Sequence, residues 1–347
     1  MVRKNWFVLF VICLATFGQA GSLEAVRFKC ERIAENFFPR GINNKAQVIG
    51  SVQFPGGISR GAIWTPGQGA PQDLGTLGGT GCNPADINDA GQVVGSSYTL
   101  SGEEHAFIWD QTKLIQDLGG LGGDTHMALG INNLGIAVGY STTPLGYPYY
   151  GATHSVLWTS LGLYNLGSEA SARCINDNIW LAGTTVDIYP CLWSYPGFQI
   201  HSLGGLLPGD TICHILKINN KGQVVGSSFP TSGSPTHGCL WTADGNPPQN
   251  LGNLGGQTTH AYDINDWGWI VGESAVGPFW HAFLHTPEDG IQDLNNLLAN
   301  SPLQEVEYLG IARGVNNRGQ IVCISSYHIS YLLTPVRTPP LDLLLLD

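Results

Sequence analysis

The chain has 347 residues, with 15 Lys and Arg against 26 Asp and Glu, and its formal net charge at pH 7 is -11. Its 47 glycines follow no triplet period and only 12% of its residues are charged, which disfavours a coiled coil, a long helical bundle and a collagenous rod. No basic stripe is present, so we expect no nucleic-acid partner, because phosphate neutralisation supplies most of the affinity for such ligands.

The N-terminus has the three parts of an export signal. Arg3 and Lys4 form a positive region, Trp6 to Phe17 form an apolar run, and a small-residue cleavage site ends at Ala20. The apolar run is too short to cross a bilayer. We therefore predict a signal peptide over residues 1–20, an extracellular or periplasmic protein, and no membrane span once the signal is removed.

One unit recurs seven times along the rest of the chain, and an apolar residue followed by Asn marks each copy. Successive Asn anchors are separated by 45, 44, 44, 43, 46 and 51 residues. A period in the mid-forties is typical of four-stranded propeller blades or of HEAT-type helical pairs. The anchors are Asn43, Asn88, Asn132, Asn176, Asn219, Asn265 and Asn316.

The pattern inside each unit is that of short β-strands. An Asn-Asx-x-Gly turn precedes a Val- and Ile-rich run that ends in Gly, as in residues 88–95 and 219–226. A third segment often ends in Trp, and a fourth segment ends in Leu-Gly. Frequent Gly and β-branched residues argue against helices. The sequence therefore predicts an all-β fold, a seven-bladed β-propeller of four-stranded blades.

The two ends of the chain fit circular closure of this propeller. Unit seven has a third strand near Ile329 to Leu333 but lacks a fourth, whereas Ala25 to Ile33 forms a strand-like segment before unit one. Pairing the two segments would close the ring and protect the sheet edges. We thus assign residues 21–336 to the propeller and residues 337–347 to a C-terminal tail that packs on the body or frays.

Three motifs together resemble the bacterial HAF-repeat extracellular proteins. They are the His-Ala-Phe triplets at His105 and His281, the Asp-Leu-Gly-Thr-Leu-Gly-Gly run from Asp73, and the Ile-Asn-Asx-x-Gly-Gln turns. The resemblance covers about residues 25 to 335. It implies an exported repeat protein with no established reaction. Unit four departs from the pattern, with Tyr189 in place of His, and unit seven places Ile329 or His328 there.

Removal of the signal leaves seven cysteines, and we predict that most stay unpaired after export. Cys174 and Cys191 belong to the first and third strands of one blade, as do Cys213 and Cys239. Strands two places apart are separated by roughly 9 to 10 Å, which exceeds the reach of a disulfide.

Antiparallel topology divides the loops between two faces. The Asn-Asx-x-Gly turns and the third-to-fourth turns share one face, here called the Asn-turn face. The interblade connections and the second-to-third loops share the opposite one, here called the variable-loop face, where we expect function. The longest second-to-third loop carries Tyr147, Tyr149 and Tyr150, which suit sugar rings or a protein partner. The alternative is that this loop folds onto its own blade.

Residues near the start of the first strands are candidates for a metal or for acid chemistry. Five residues lie five or six positions before the Asn anchors and could ligate zinc: Cys82, His126, Cys213, His214 and His260. They come from different blades without a close His pair, so ordinary polar loop residues are the default interpretation. Asp124 and Asp210 lie slightly upstream, near the mouth of the central channel.

Two recurring aromatic positions are interpreted as structural. The His that opens the third strand, at His105, His154, His237 and His281, occurs once per blade, whereas a catalytic group is needed once. The Trp that ends the same strand, at Trp64, Trp109, Trp158, Trp193 and Trp241, is expected to pack between blades.

No nucleophile elbow, phosphate-binding loop or zinc-protease helix is recognisable, and we expect no cofactor. The leading hypothesis is a monomeric, non-enzymatic binding or scaffold protein that recognises a glycan or a protein through its variable-loop face. The alternative is an enzyme acting on glycans with Asp124 and Asp210 as carboxylates, which requires two carboxyls at about 5 to 9.5 Å.

Overall fold

A computed structural model describes residues 26–53, 59–144, 152–185, 187, 189–206, 210–230, 235–244, 246–300 and 302–336. These residues form 28 strands and one short 3₁₀ helix. Blade one comprises β2 (Phe37–Ile42), β3 (Val48–Gln53), β4 (Ser59–Trp64) and β5 (Gln72–Asp73). Blade two comprises β6 (Gly78–Ile87), β7 (Val93–Thr99), β8 (Glu104–Asp110) and β9 (Leu114–Asp117). Blade three comprises β10 (His126–Ile131), β11 (Ala137–Thr142), β12 (Thr153–Thr159) and β13 (Gly162–Gly167).

The remaining blades repeat this arrangement. Blade four comprises β14 (Ala170–Ile175), β15 (Leu181–Thr185), β16 (Pro190–Ser194) and β17 (Gln199–Ser202), and blade five comprises β18 (Asp210–Ile218), β19 (Val224–Pro230), β20 (His237–Trp241) and β21 (Gln249–Asn250). Blade six comprises β22 (Thr259–Ile264), β23 (Ile270–Val276), β24 (Phe279–Thr286) and β25 (Gly290–Asp293). Blade seven comprises β26 (Leu309–Val315), β27 (Ile321–Ser325), β28 (Ile329–Pro335) and β1 (Phe28–Glu35).

Each blade is a four-stranded antiparallel sheet in which consecutive strands are neighbours. The seven sheets follow one another around a central channel, with the first strand of each blade innermost. The predicted seven-bladed β-propeller is therefore confirmed. The 51-residue spacing before the last anchor reflects the longer connection from blade six to blade seven, which contains the 3₁₀ helix Leu294–Leu297.

The ring closes through β1, which is the outermost strand of blade seven. β1 pairs antiparallel with β28, from Phe28 opposite Pro335 to Glu35 opposite Ile329. Only Asn36 separates β1 from β2, the innermost strand of blade one. The Ser330 hydroxyl donates to the Phe37 carbonyl and adds a second link between the two chain ends. The predicted closure by the N-terminal strand is confirmed.

The Asn anchors form a closed ring of hydrogen bonds on the Asn-turn face. The Nδ2 of each Asn donates to the backbone carbonyl of the next anchor at 2.9 to 3.1 Å, and Asn316 returns to Asn43. The Asn or Asp that follows each anchor forms a second ring, in which its side-chain oxygen accepts the backbone N–H of the preceding blade. The repeated Asn-Asx pair thus joins adjacent blades all around the propeller.

The apolar core lies in separate clusters, many of which span two neighbouring blades. Four of the five repeated tryptophans are buried, and Trp64 is half-buried. Trp158 and Trp241 also donate their indole N–H to a glycine carbonyl of the preceding blade, Gly119 and Gly204, at 3.0 and 2.9 Å. The repeated Trp therefore packs the blades together, as the sequence predicted.

All seven cysteines that the structure describes are buried, and none of them forms a disulfide within the described residues. Burial raises the pKa of the Cys82 and Cys174 thiols to about 12, so the reactive thiolate is disfavoured. No helix in the described residues is long and apolar enough to cross a membrane. The predicted signal peptide and C-terminal tail lie outside the described residues.

Candidate functional site: the central channel and the variable-loop face

A β-bulge interrupts the first strand of every blade at the same position. Pairing between the first and second strands skips the residue three places before the Asn anchor in all seven blades. Bulges re-aim side chains and are frequent beside functional sites. The skipped residues line the central channel and are here called the bulge ring: Arg40, Ala85, Leu129, Arg173, Leu216, Tyr262 and Arg313.

A glycine inside the second strand accommodates this bulge in six of the seven blades. A Cβ at Gly139 would lie 1.9 Å from the Met127 carbonyl oxygen, and a Cβ at Gly183 would lie 1.9 Å from that of Ser171. Both carbonyls belong to the bulged first strand. Glycine permits this close approach in blades one to six, whereas Cys323 occupies the equivalent register in blade seven.

The channel contains a cavity of about 530 Å³ lined by residues of all seven blades. A volume of this order holds a small organic ligand. The bulge ring gives it three guanidinium groups, one phenol and an apolar wall. Arg40 and Arg173 are exposed to the channel solvent, and Arg313 is half-buried, with its guanidinium carbon 4.4 Å from the centre of the Tyr262 ring. This non-repeating chemistry on a repeating scaffold is typical of a binding site.

A partly buried ion pair crosses the channel beside the bulge ring. Lys217 of blade five donates to Asp86 of blade two at 2.7 Å. Burial alone would lower the lysine pKa, but Asp86 and Asp263 together raise it, so Lys217 is charged at neutral pH. Burial raises the pKa of Asp263 to about 6, although Lys217 and the Val315 backbone N–H oppose the rise. These charged groups satisfy one another and join opposite sides of the propeller.

A row of aromatic side chains runs from the variable-loop face to the bulge ring. The Trp280 ring lies 5.7 Å from the His260 ring, and the His260 ring stacks on Tyr262 at 6.3 Å with 9° between the ring planes. Tyr262 donates to Glu273 at 2.5 Å, and burial together with that carboxylate raises its pKa. The row of Trp280, His260 and Tyr262 is here called the aromatic row.

Three further rings lie beside the aromatic row. Phe279 contacts Tyr308 with ring centres 5.8 Å apart, and Tyr308 contacts His281 at 4.8 Å. Phe279 is 53% exposed and Trp280 is 39% exposed, and both follow the second-to-third loop of blade six. The variable-loop face therefore offers exposed aromatic surface beside imidazole, phenol and carboxylate groups.

The tyrosine-loop prediction is not addressed by this structure, because Tyr147, Tyr149 and Tyr150 lie outside the described residues. Asp124 is exposed just before β10, at the variable-loop face. Asp210 opens β18, and its side chain is not among those described. A ligand-binding or catalytic role for these residues stays a prediction.

The four metal candidates have separate local environments. His126 is buried and its Nδ1 lies 3.2 Å from the Ser141 hydroxyl. The corresponding nitrogen of His260 lies 3.2 Å from the Ser227 hydroxyl. Cys213 is buried in an apolar cluster, and the exposed His214 contacts an aromatic ring at 5.0 Å. Within the described part of the chain, no three His, Cys, Asp or Glu side chains are grouped as a metal site, so zinc binding stays a prediction.

The recurring His of the third strand has the structural role that the sequence indicated in three blades. The Nδ1–H of His105 donates to Asp117 at 2.7 Å, and His281 donates to Asp293 at the same distance. His154 donates to Asn165 at 2.9 Å. In blade one, Arg60 replaces the His and pairs with Asp73. The remaining member, His237, is an exception, since its buried Nδ1 has no partner in the described structure.

A second cavity, of about 700 Å³, lies between blades four and five. Trp180, His201 and Pro247 are among the residues that line it. His201 is the one titratable side chain in this described lining, and it lies 3.3 Å from the Ser194 hydroxyl. This cavity lacks the converging charges of the central channel.

Sequence reasoning missed the bulge ring and the exposed pair Phe279 and Trp280. A signal for both was present. Glycine inside a β-strand pattern indicates a bulge, and an arginine at the same register in three units departs from the repeat. The Phe-Trp pair directly follows a Gly-Pro turn in a second-to-third loop, but the longer tyrosine-rich loop was selected instead.

No protein-family model and no curated protein matches the sequence at a significant level. Among solved structures, the chain is similar to the β-propeller domain of the trilobed protease from Pyrococcus furiosus, with TM-score 0.55, 8% identity, and coverage of 89% of this chain and 96% of that one. The acylaminoacyl peptidase of Pyrococcus horikoshii gives TM-score 0.50 and 10% identity, with 84% and 49% covered. TolB from Acinetobacter baumannii gives TM-score 0.43 and 10% identity, with coverage of 90% of this chain and 64% of that one.

The chain thus spans less than two thirds of the acylaminoacyl peptidase and of TolB. Identities of 8 to 10% show a shared propeller fold and nothing further.

Proposed function

We propose that this protein is an exported, non-enzymatic binding propeller that recognises a glycan through its variable-loop face. The observation that carries the proposal is the exposed aromatic surface of Phe279 and Trp280, continued inward by His260 and Tyr262. Aromatic rings stack on the C–H faces of sugars, and adjacent polar groups fix the orientation of the ring hydroxyls.

The chemistry around these rings favours a glycan over a protein partner. His281 lies beside Tyr308, and Glu273 lies beside Tyr262, so donors and acceptors surround the rings. A stable protein interface buries about 800 Å² on each partner around an apolar centre. Two exposed aromatic side chains bordered by polar groups match a narrow sugar-binding strip better.

Export and membership of the HAF-repeat group belong to the same proposal. They are supported by the signal-like segment that ends at Ala20 and by the motifs at His105 and His281. Secretion of the full chain from a bacterial host, with N-terminal sequencing of the secreted protein, would test the cleavage after Ala20. A secreted protein that retains residues 1–20 would contradict it.

A glycan array followed by calorimetric titration tests the binding proposal. We expect Trp280→Ala to weaken binding of the selected glycan at least tenfold, because one stacking partner is lost. Tyr164→Ala is the matched control, since Tyr164 is 48% exposed on the outer strand of blade three. Equal binding by the Trp280 variant and the parent would refute the proposal, and a protein captured in place of a glycan would favour the other partner class.

A further inference from the structure

The arginines of the bulge ring form no ion pair with a carboxylate in the part of the chain that the structure describes. Arg40, Arg173 and Arg313 all line the channel cavity, yet none forms an ion pair with a carboxylate within the described residues. Arg40 and Arg313 belong to adjacent blades, one and seven. Partial desolvation in the channel and the neighbouring Arg313 charge lower the pKa of Arg40, although its side chain still reaches the channel solvent. Such a pair is relieved when an anion binds between its members.

The carboxylates that line the channel have partners other than the bulge-ring arginines. Asp89, Asp177 and Asp266 accept backbone N–H groups of the preceding blades in the second ring of hydrogen bonds. Asp86 pairs with Lys217, and Asp263 also acts on that lysine. The arginines of the bulge ring are therefore the channel cations with which no described carboxylate forms an ion pair.

We infer that the bulge ring binds a small organic anion, whose carboxylate or phosphate group is held by Arg40 and Arg313 and is approached by Arg173. The planar guanidinium fork matches both oxyanions in bidentate geometry. Tyr262 and the two leucines of the ring supply an apolar wall for a carbon skeleton. A cavity of about 530 Å³ admits a molecule the size of a uronic acid or a sugar phosphate.

This inference does not depend on glycan binding at the variable-loop face. Lys217, the other cation of the channel lining, already forms an ion pair with Asp86. The positive charges without a carboxylate partner are therefore those of the three arginines. A ligand that supplies the negative charge explains why three channel arginines lack a carboxylate partner among the described residues.

Isothermal titration calorimetry of the full chain at low salt tests the inference with glucuronate, inorganic phosphate and uncharged glucose. We expect saturable one-to-one binding of glucuronate or phosphate and none of glucose. The tighter of the two anions identifies the group that the ring selects. Arg40→Gln and Arg313→Gln should each weaken binding at least tenfold. Arg318→Gln is the matched control, because Arg318 is exposed on the Asn-turn face and does not line the cavity.

Failure of the two proposals would give different results. Trp280→Ala should retain anion binding, and the arginine variants should retain binding of a neutral glycan. If the Gln variants do not fold, Arg313→Lys keeps the charge but removes the fork and should still weaken binding. Absence of saturable heat with both anions, or an equal loss in Arg318→Gln, would overturn the anion site.

Discussion

Removal of the last Asn anchor tests how much the hydrogen-bonded ring stabilises the propeller. Asn316 is 4% exposed, and its side chain makes four hydrogen bonds. Its Nδ2 donates to the Asn43 carbonyl at 2.9 Å and to the Gln320 side chain at 3.0 Å. Its Oδ1 accepts the backbone N–H groups of Arg318 and Gln320 at 3.0 and 2.9 Å.

At about 1 kcal/mol for each bond, Asn316→Ala should lower the free energy of unfolding by about 4 kcal/mol. With a urea dependence of about 3 kcal/mol/M, the midpoint should fall by more than roughly 1 M. Asn132→Ala removes three comparable bonds away from the chain ends and should cost about 3 kcal/mol. Asn133→Ala changes only the exposed second ring of hydrogen bonds and should cost less than about 1 kcal/mol.

Urea unfolding followed by tryptophan fluorescence and by far-UV circular dichroism measures these differences. Coincident transitions in all variants would show that the ring still unfolds as one unit. If Asn316→Ala cost no more than Asn133→Ala, the anchor ring would be incidental to stability. A cost for Asn316 far above that for Asn132 would instead place the weak point at the closure between the chain ends.

Three further predictions concern the buried interior. Lys217→Met should cost about 3 to 5 kcal/mol at pH 7 because the buried carboxylates Asp86 and Asp263 lose their cation. The loss should shrink at pH 5, below the pKa of about 6 of Asp263, where that carboxyl takes up a proton. An unchanged midpoint at pH 7 would contradict this. Trp241→Phe should lower the free energy of unfolding by about 1 kcal/mol more than Trp109→Phe, as measured in urea. The Trp241 indole N–H has a hydrogen-bond partner, whereas that of Trp109 has none in the described structure. Equal losses in the two variants would refute the comparison. The seven cysteines of the described residues should resist iodoacetamide in the native protein and react after denaturation without reductant. Mass spectrometry that found any of them protected after denaturation would indicate disulfides.

The architecture was accessible from the sequence because its signals are local and repeated. The spacing of the Asn anchors gave the blade count, and the missing fourth strand of unit seven pointed to the segment before Asn43. The same reasoning located the faces, since alternating strand direction determines which loops lie together. The role of the anchor Asn was not foreseen, because its carbonyl partner lies about 45 residues away in the next blade.

The candidate site was less accessible because it depends on departures from the repeat. The register of a strand does not reveal a bulge directly, so Arg40, Arg173 and Arg313 were not recognised as one ring. Attention to Cys and His selected residues five or six places before the anchor, two or three places from the bulge. The aromatic row was missed because the contact between Trp280 and His260 joins two different strands of blade six.

A crystal structure of the full chain with an oligosaccharide selected on the glycan array would test the central claim most directly. We predict a sugar ring stacked on Trp280 at the variable-loop face, with its hydroxyls directed toward His260 or Tyr308. A sugar bound on the Asn-turn face, or in the groove between blades four and five, would contradict the account.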